Sequence, residues 1–507
     1  MTANFMKLCS LILQEHFGET AKIVGENLFT SVSKTITGIV TSTKLSRKQV
    51  IASLSILVQH QFVKFTACEH NESIAEYSLL PDKILLMLRY PHYVCFILKK
   101  YGNMSALLLE EVLHSSVGIA ELIIARCYSQ LERKNDNTLK ELRDAFCHLV
   151  NETIFIRHPN ISDDSVPQLK LDKIHFFELP DIDLEDIKSY IESGCEPSSN
   201  IYWTVNFDCL HRHLRDKILV NTIDRQIDVN AGEAFQFILQ LMEKKTDAWN
   251  TTSNPISYFE LKQLITRKSS NSDLVKYFDQ YISVIEKNES GFLKKIDESG
   301  GGIYTVNMVV ALQQLVWTII ENVITQKFGS KATRIFRVVK ARKYLEQEEI
   351  QREAMIPGKE AKLHTYRLLE EGFLQIHTIK KVGGGGTGPV KAFYLFHINQ
   401  YHIVLMLIET CYKALYNSMK RGNIDKEINK RLMEKSMRLQ FIVDAMKERG
   451  ESEEVIHEIN ETLTPPEKEI VEKTKSRLKH LESSEIVIDE MLFLFQLFIY
   501  YQSPANK

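Results

Sequence analysis

Apolar residues recur at alternating intervals of three and four through Ile398, Tyr401, Leu405, Ile408, Tyr412, Leu415 and Met419, which is the seam of a heptad helix. The spacing breaks at Gly422 and resumes in another phase at Ile428, Leu432, Leu439, Ile442 and Met446, as a stutter in one long helix would make it. A second register follows Pro465 and Pro466, at Val471, Leu478, Leu481, Ile488, Leu492, Phe495 and Ile499, with Thr474 and Glu485 filling two seam positions. Neither helix can carry the double proline in its interior, so the prolines are expected in a reversal between two long helices. At about 1.5 Å per residue these would span roughly 75 and 55 Å, which reads as an antiparallel coiled-coil stalk. Leu405, Ile408, Tyr412, Leu478, Leu481, Leu492 and Phe495 on its seams are the candidate partner-binding residues. The alternative is two buried helices of a large α domain.

The chain has 507 residues, enough for several domains, and a formal net charge of only −2, so any nucleic-acid binding has to come from local patches. Its eight cysteines form no C-x-x-C pair, and Cys195 and Cys209 have no companions at zinc spacing, which argues against a metal site and against a disulfide framework. The amphipathic start MTANFMKLCSLILQEHF lacks the features of a signal peptide, and no window of eighteen apolar residues suggests a membrane span. A reducing compartment, cytosol or nucleus, is expected.

From Asn4 to Phe29 two helices are expected, with Gly18 between them. Thr35–Ser42 reads as a short helix, Thr43–Leu45 as a turn, and Ser46 as the N-cap of a helix carrying Val50, Leu54, Leu57 and Val58. An alternating strand QFVKF and a second strand near Ile74–Leu79 follow, and helix, turn, helix and β-hairpin is the order of a winged helix. The junction of last helix and first wing strand recurs as LVQHQFVKF, LVNETIFIR and LLEEGFLQI, with Leu57 and Phe62, Leu149 and Ile154, and Leu368 and Phe373 each five apart. A looser copy runs from Tyr281 to Ile296. The fold expected is mainly α with small β-hairpins: winged helices at 1–84, 85–160, 200–304 and 305–397, a surface linker at 161–199 rich in proline and acidic runs, and the stalk at 398–507.

GGGGTG at Gly383–Gly388 fits G-x-G-x-x-G, but the strand-like PVKAFYLF follows it where a phosphate loop needs a helix, so a wing tip is expected. SGGGIY at Ser299–Tyr304 is read as a turn before a helix. His211 and His213 lack a third ligand and are read as surface histidines, and no catalytic constellation is apparent, so no enzyme activity, cofactor or small-molecule substrate is expected. Basic clusters remain as nucleic-acid candidates: Arg334, Arg337, Lys340, Arg342 and Lys343 on one helix, Lys44, Arg47 and Lys48 at the start of the first unit's last helix, and Lys359, Lys362 and Arg367 on its fourth-unit equivalent. Lys380, Lys381 and Lys391 extend the last cluster onto the wing. Against each stands the plain reading of a solvated, charge-balanced face.

The strings KLCSLILQEHFGE, LVQHQFV, LRYPHY, SGGGIY, FGSKATRIFR, AMIPGKEAK and NKRLMEKS run in one order along nearly the whole chain. In them the chain resembles the family of winged-helix subunits of eukaryotic RNA polymerase III that form the largest member of its three-subunit initiation subcomplex. The resemblance implies a nuclear, non-catalytic subunit with four winged helices packed around the stalk, serving transcription of tRNA and 5S RNA genes. It implies two smaller partners, docking on the clamp of the largest catalytic subunit, and DNA contacts that include single strands and act in promoter recruitment and opening. The competing readings are a scaffold subunit of another assembly using winged helices only for protein contacts, and a sequence-specific DNA-binding regulator, which the near-neutral charge disfavours.

Overall fold

The computed structural model describes residues 2–30, 33–68, 71–131, 136–161, 169–170, 178–194, 201–269, 271–288, 291–298, 301–380, 392–449 and 462–503. The chain divides into two compact bodies, Met1–His211 with Cys411–Asp489, and Arg212–Thr410 with Glu490–Lys507.

In the first body, helices Ala3–Phe17 and Glu19–Phe29 precede a short strand Lys34–Thr35, helices Ile36–Thr43 and Arg47–Gln59, and wing strands Val63–Cys68 and Asn71–Leu79. The short strand pairs antiparallel with the second wing strand, which pairs with the first. Ser46 starts the last helix with a capping box: its hydroxyl accepts from the Gln49 N–H at 3.4 Å and its own N–H donates to Gln49 Oε1 at 3.2 Å. The second unit repeats the order with helices Tyr90–Tyr101, Asn103–Ser115, Ala120–Gln130 and Asp136–Asn151 and strands Gly118–Ile119 and Phe155–Arg157. Its central strand is Tyr202–Val205, which the sequence reading assigns to the next unit but which pairs with both others here.

Residues 161–199 are therefore an insertion between two wing strands, and they hold more than a linker. Helix Leu184–Ser193 packs on Ala120–Gln130 with Ile187 fully buried. The acidic run that suggests a linker supplies its start: Asp183 caps the Glu185 N–H at 3.0 Å, and Glu185 and Asp186 occupy the first turn, where the helix dipole favours them.

The second body carries two further copies. The third has helices Val229–Lys245, Tyr258–Lys268 and Ser272–Lys287 with strands Ile256–Ser257, Leu293–Asp297 and Ile303–Val306, the last in the centre. Gly301 and Gly302, both at positive φ, thus lead into a strand, and the helix expected after SGGGIY begins only at Met308. The fourth has helices Met308–Phe328, Ser330–Arg342, Gln347–Ala354 and Gly358–Glu370 and wing strands Gln375–Lys380 and Ala392–His397, with the single pair Leu345–Phe396 standing for the third strand. The GGGGTG run lies outside the described residues. Helix Met308–Phe328 reaches the length and mean hydropathy of a membrane span, unlike the expectation, yet its buried positions Met308, Ala311, Leu312, Val316, Ile320 and Ile324 trace one face toward the core.

The repeated five-residue spacing has a physical cause. After the last helix, Gln61, Thr153 and Gly372 take left-handed φ of 57°, 59° and 80°. The next N–H then reaches back five residues, Phe62 to Leu57 at 2.9 Å, Ile154 to Leu149 at 3.0 Å and Phe373 to Leu368 at 2.8 Å. This is the Schellman closure, and it delivers a buried apolar residue into the core at the start of each wing. Gly291, at φ 62°, precedes buried Phe292 in the third unit.

The C-terminal helices are Gln400–Ile428, Lys430–Arg449 and Pro465–Gln502. The interruption falls at Asn429 rather than Gly422, and Pro465 and Pro466 open the last helix, where their missing N–H groups cost nothing, rather than sitting in the reversal. Lys435 pairs with Glu467 at 3.0 Å, Arg477 lies 3.9 Å from Asp425, and a Cβ on Gly422 would meet Leu478 at 3.7 Å. As position numbers rise on one helix they fall on the other, so the two run antiparallel, and Gly422 marks a close crossing. Within the first body this hairpin carries both winged helices: Phe5 packs on Tyr412 at 5.1 Å between ring centroids, and buried Arg89 donates to Asp489 at 3.2 and 3.3 Å.

Candidate nucleic-acid and partner surfaces

Helix Ser330–Arg342 buries Ala332, Thr333, Ile335, Phe336 and Val339, which turns Arg334 and Arg337 outward and leaves Lys340 half-buried on the flank of that face. These cations already have acceptors in the chain. Arg337 Nε donates to Glu321 Oε2 at 2.8 Å, Lys340 Nζ to Oε1 of the same residue at 2.9 Å, and Lys340 lies 4.7 Å over the Trp317 ring. Burial raises the Glu321 pKa, but the hydrogen bonds from Lys340 and Arg337 outweigh it and hold the carboxyl below its ordinary value. Arg342 pairs with Glu353 at 3.2 Å, and Arg334 reaches the Ala354 carbonyl at 3.4 Å. Lys343 is the exposed left-handed cap of the helix, at φ 69°.

The equivalent helix of the fourth unit presents a different face. Gly358–Glu370 buries Ala361, Thr365 and Leu368, leaving Lys359, Lys362, Leu363, Tyr366 and Arg367 exposed at intervals of three and four. Among the described residues none of the three cations has an acidic partner. In the first unit Arg47 and Lys48 are exposed in the first turn of the last helix, while Lys44 is the left-handed cap of the helix before, at φ 58°. The side chains of Lys380, Lys381 and Lys391 lie outside the described residues.

The seam residues proposed for partners are largely used by the chain itself. Ile408, Tyr412, Leu478, Leu492 and Phe495 are buried, Leu481 is half-buried, and Leu405 is 41% exposed. The open apolar positions of the hairpin are others: Phe441 is 79% exposed, Ile428 73%, Met437 57% and Val487 53%. Of these, Ile428 is a seam position in the sequence, and Met437, Phe441 and Val487 stand off the heptad phase, which is the sequence signal that could have found them. His211, read as a surface residue, instead packs its ring 6.0 Å from buried Tyr93, and burial, then Arg89, pushes its pKa down to about 3. Among the described residues no group of His, Cys, Asp and Glu is arranged to hold a metal ion.

One concave site opens in the fourth unit, a cavity of about 480 Å³ between the wing and the start of helix Gln347–Ala354. Tyr366, Ile376, Tyr394 and Phe396 give it apolar walls, and Gln347 and Glu348 stand at the helix side.

Four family models match the chain: an RNA polymerase III subunit RPC82 helix-turn-helix domain over 7–67, RNA polymerase III subunit RPC82 over 144–315, a POLR3C C-terminal winged-helix domain over 320–398, and the helical hairpin domain of DNA-directed RNA polymerase III subunit RPC3 over 431–494. Among curated proteins, the DNA-directed RNA polymerase III subunits RPC3 of Mus musculus, Homo sapiens and Danio rerio are 32%, 31% and 30% identical, each over 98% of this chain and 99% of their own length. The chain belongs to the RNA polymerase III subunit RPC3 family. In this RPC3-family chain the strings that carry the resemblance fall on structural joints. FGSKATRIFR spans Gly329 and its helix, AMIPGKEAK carries left-handed Met355 into the fourth unit's last helix, and LRYPHY contains Arg89 of the buried ion pair. The RPC3 hairpin match at 431–494 covers the antiparallel pair described above.

Proposed function

We propose that this chain is a non-catalytic, nuclear subunit of RNA polymerase III that acts in transcription initiation, holding DNA through the last helices of its first and fourth units and other subunits through its helical hairpin. The observation that carries the DNA half is the exposed stripe Lys359, Lys362 and Arg367, three cations on the helix face that a winged helix turns toward a duplex or single strand. The open apolar positions Ile428, Met437 and Phe441 support the protein half, because exposed side chains of this size on one hairpin suit a partner helix. The two smaller members of the heterotrimer and the clamp of the largest subunit are the partners this reading names.

A tagged full-length chain should recover polymerase III subunits and template-dependent RNA synthesis, and Phe441→Asp should lose part of that set. Replacing Lys359, Lys362 and Arg367 by Glu should weaken single-stranded oligonucleotide binding and flatten its salt dependence by about 0.7 in log–log slope per lost contact. Recovery of an unrelated complex would overturn the assignment. A scaffold role without DNA contact has one observation in its favour, the engagement of Arg337 and Lys340 by Glu321, and unchanged oligonucleotide binding in the triple variant would select it.

A further inference from the structure

We propose that the cleft between the fourth unit's wing and helix Gln347–Ala354 is a docking groove for an extended peptide of a partner protein that places an arginine between Tyr366 and Tyr394. The groove exists because the third strand of this sheet stops after one pair. Phe396 donates its N–H to the Leu345 carbonyl at 2.8 Å and accepts from the Leu345 N–H at 3.2 Å, and the chain then turns into a helix at Gln347. Antiparallel alternation sends the N–H and C=O of Tyr394, two residues along, to the same side as those of Phe396. Among the described residues they meet no backbone partner there, and an open edge of this kind accepts an added strand.

The side chains say what such a strand should carry. Ile376 and Phe396 are register partners, so they share a face with Tyr394, and this apolar wall ends in the exposed rings of Tyr394 and Tyr366. Among the described residues no lysine or arginine lines the cavity, whereas Glu346 and Glu348 do. The carboxamide of Gln347 has both its polar atoms shielded from water and without a partner among the described residues. Two phenol faces, a carboxylate and an unsatisfied carbonyl oxygen together favour a cation, and arginine suits them better than lysine because its flat fork stacks on rings while donating sideways. The carboxylates oppose a phosphate backbone, which makes nucleic acid the disfavoured occupant.

This deepens the protein-contact half of the proposed function, and its test reads peptide binding without polymerase, so the two can fail separately. Fluorescein-labelled nine-residue peptides of alternating Thr and Val, differing only in a central Arg, Ala or Glu, are titrated with the full-length chain by anisotropy. The Arg peptide should bind about tenfold tighter than the Ala peptide, and the Glu peptide more weakly than both. Glu348→Lys and Tyr394→Ser, both at exposed positions and therefore expected to leave the melting midpoint unchanged, should each bring the Arg peptide down to the Ala peptide's affinity. N-methylating the peptide at alternate amides should abolish binding in one register only. Equal binding of the three peptides, or none, overturns the proposal. So does a nine-nucleotide deoxythymidine strand whose binding falls with Tyr394→Ser and rises with Glu348→Lys, since that would make the groove a base-stacking site.

Discussion

One carboxylate, Glu321, accepts from both Arg337 and Lys340, at 2.8 and 2.9 Å, and so governs how much positive charge helix Ser330–Arg342 turns outward. Glu321→Gln should release both side chains, tighten binding to a single-stranded oligonucleotide, and steepen its salt dependence by up to about 0.7 per freed cation. An unchanged slope would assign the cluster to structure alone. The sequence shows the five cations but hides this neutralisation, because Glu321 lies on the preceding helix and only the Gly329 joint folds it back beside them. His211 carries a second residue-scale consequence. Its ring stays neutral down to a pKa of about 3, against 6.5 in the unfolded chain, because it is buried and faces Arg89. Below pH 6.5 the unfolded chain therefore binds a proton that the folded one refuses, and stability is lost at up to about 1.4 kcal/mol per pH unit, while above it the residue contributes nothing. His211→Gln should remove one proton's worth of slope from urea melts compared near pH 7 and pH 5.5, and an unaltered acid limb would contradict the burial.

At the scale of elements, three helix pairs turn on glycines with nearly the same backbone: Gly18 at φ 86°, Gly102 at 89° and Gly329 at 84°, all with ψ near 180°. An added Cβ would meet nothing within 4 Å at any of them, so the requirement is conformational. Gly329→Ala should cost about 1–3 kcal/mol without any clash, measured by denaturant melts. Gly422 predicts the reverse, since it lies inside a regular helix and its added Cβ would sit 3.7 Å from Leu478, an ordinary contact. Gly422→Ala should stabilise by about 0.5–1 kcal/mol, whereas a leucine there should part the hairpin. These elements were legible where one local rule decides them. The Ser46 cap and the five-residue closures onto Leu57, Leu149 and Leu368 are short-range hydrogen bonds whose donors and acceptors the sequence spells out. The strand Tyr202–Val205 was not legible, because its partners Gly118–Ile119 and Phe155–Arg157 precede an insertion and nothing local marks the pairing. The groove beside Tyr394 was hidden for a like reason: it depends on where Leu345 stops pairing.

At the scale of the whole chain, the hairpin's heptads promised a partner face, and most of that seam is spent on the chain's own core. The sequence pattern cannot separate the two uses, since a seam buried on a neighbouring helix and one buried on another protein need the same apolar spacing. What does separate them is a polar residue placed in the buried interface, and Asp489 is one. It stands on the last helix, 2% exposed, and receives Arg89, 3% exposed and 400 positions earlier, so the second winged helix and the hairpin each hold half of a buried ion pair. Removing one partner leaves the other charge desolvated and alone, so Asp489→Ala should cost about 3–5 kcal/mol in urea melts of the full-length chain. Replacing both, as Arg89→Met with Asp489→Leu, should recover most of that loss, because two apolar side chains of similar volume carry no desolvation penalty. Recovery in the double variant would identify the pair as a device of registration, fixing which turn of the hairpin meets helix Tyr90–Tyr101 rather than supplying net stability. Failure to recover would mean that the surrounding contacts, His92 to the Ile486 carbonyl at 3.3 Å among them, depend on the charges themselves.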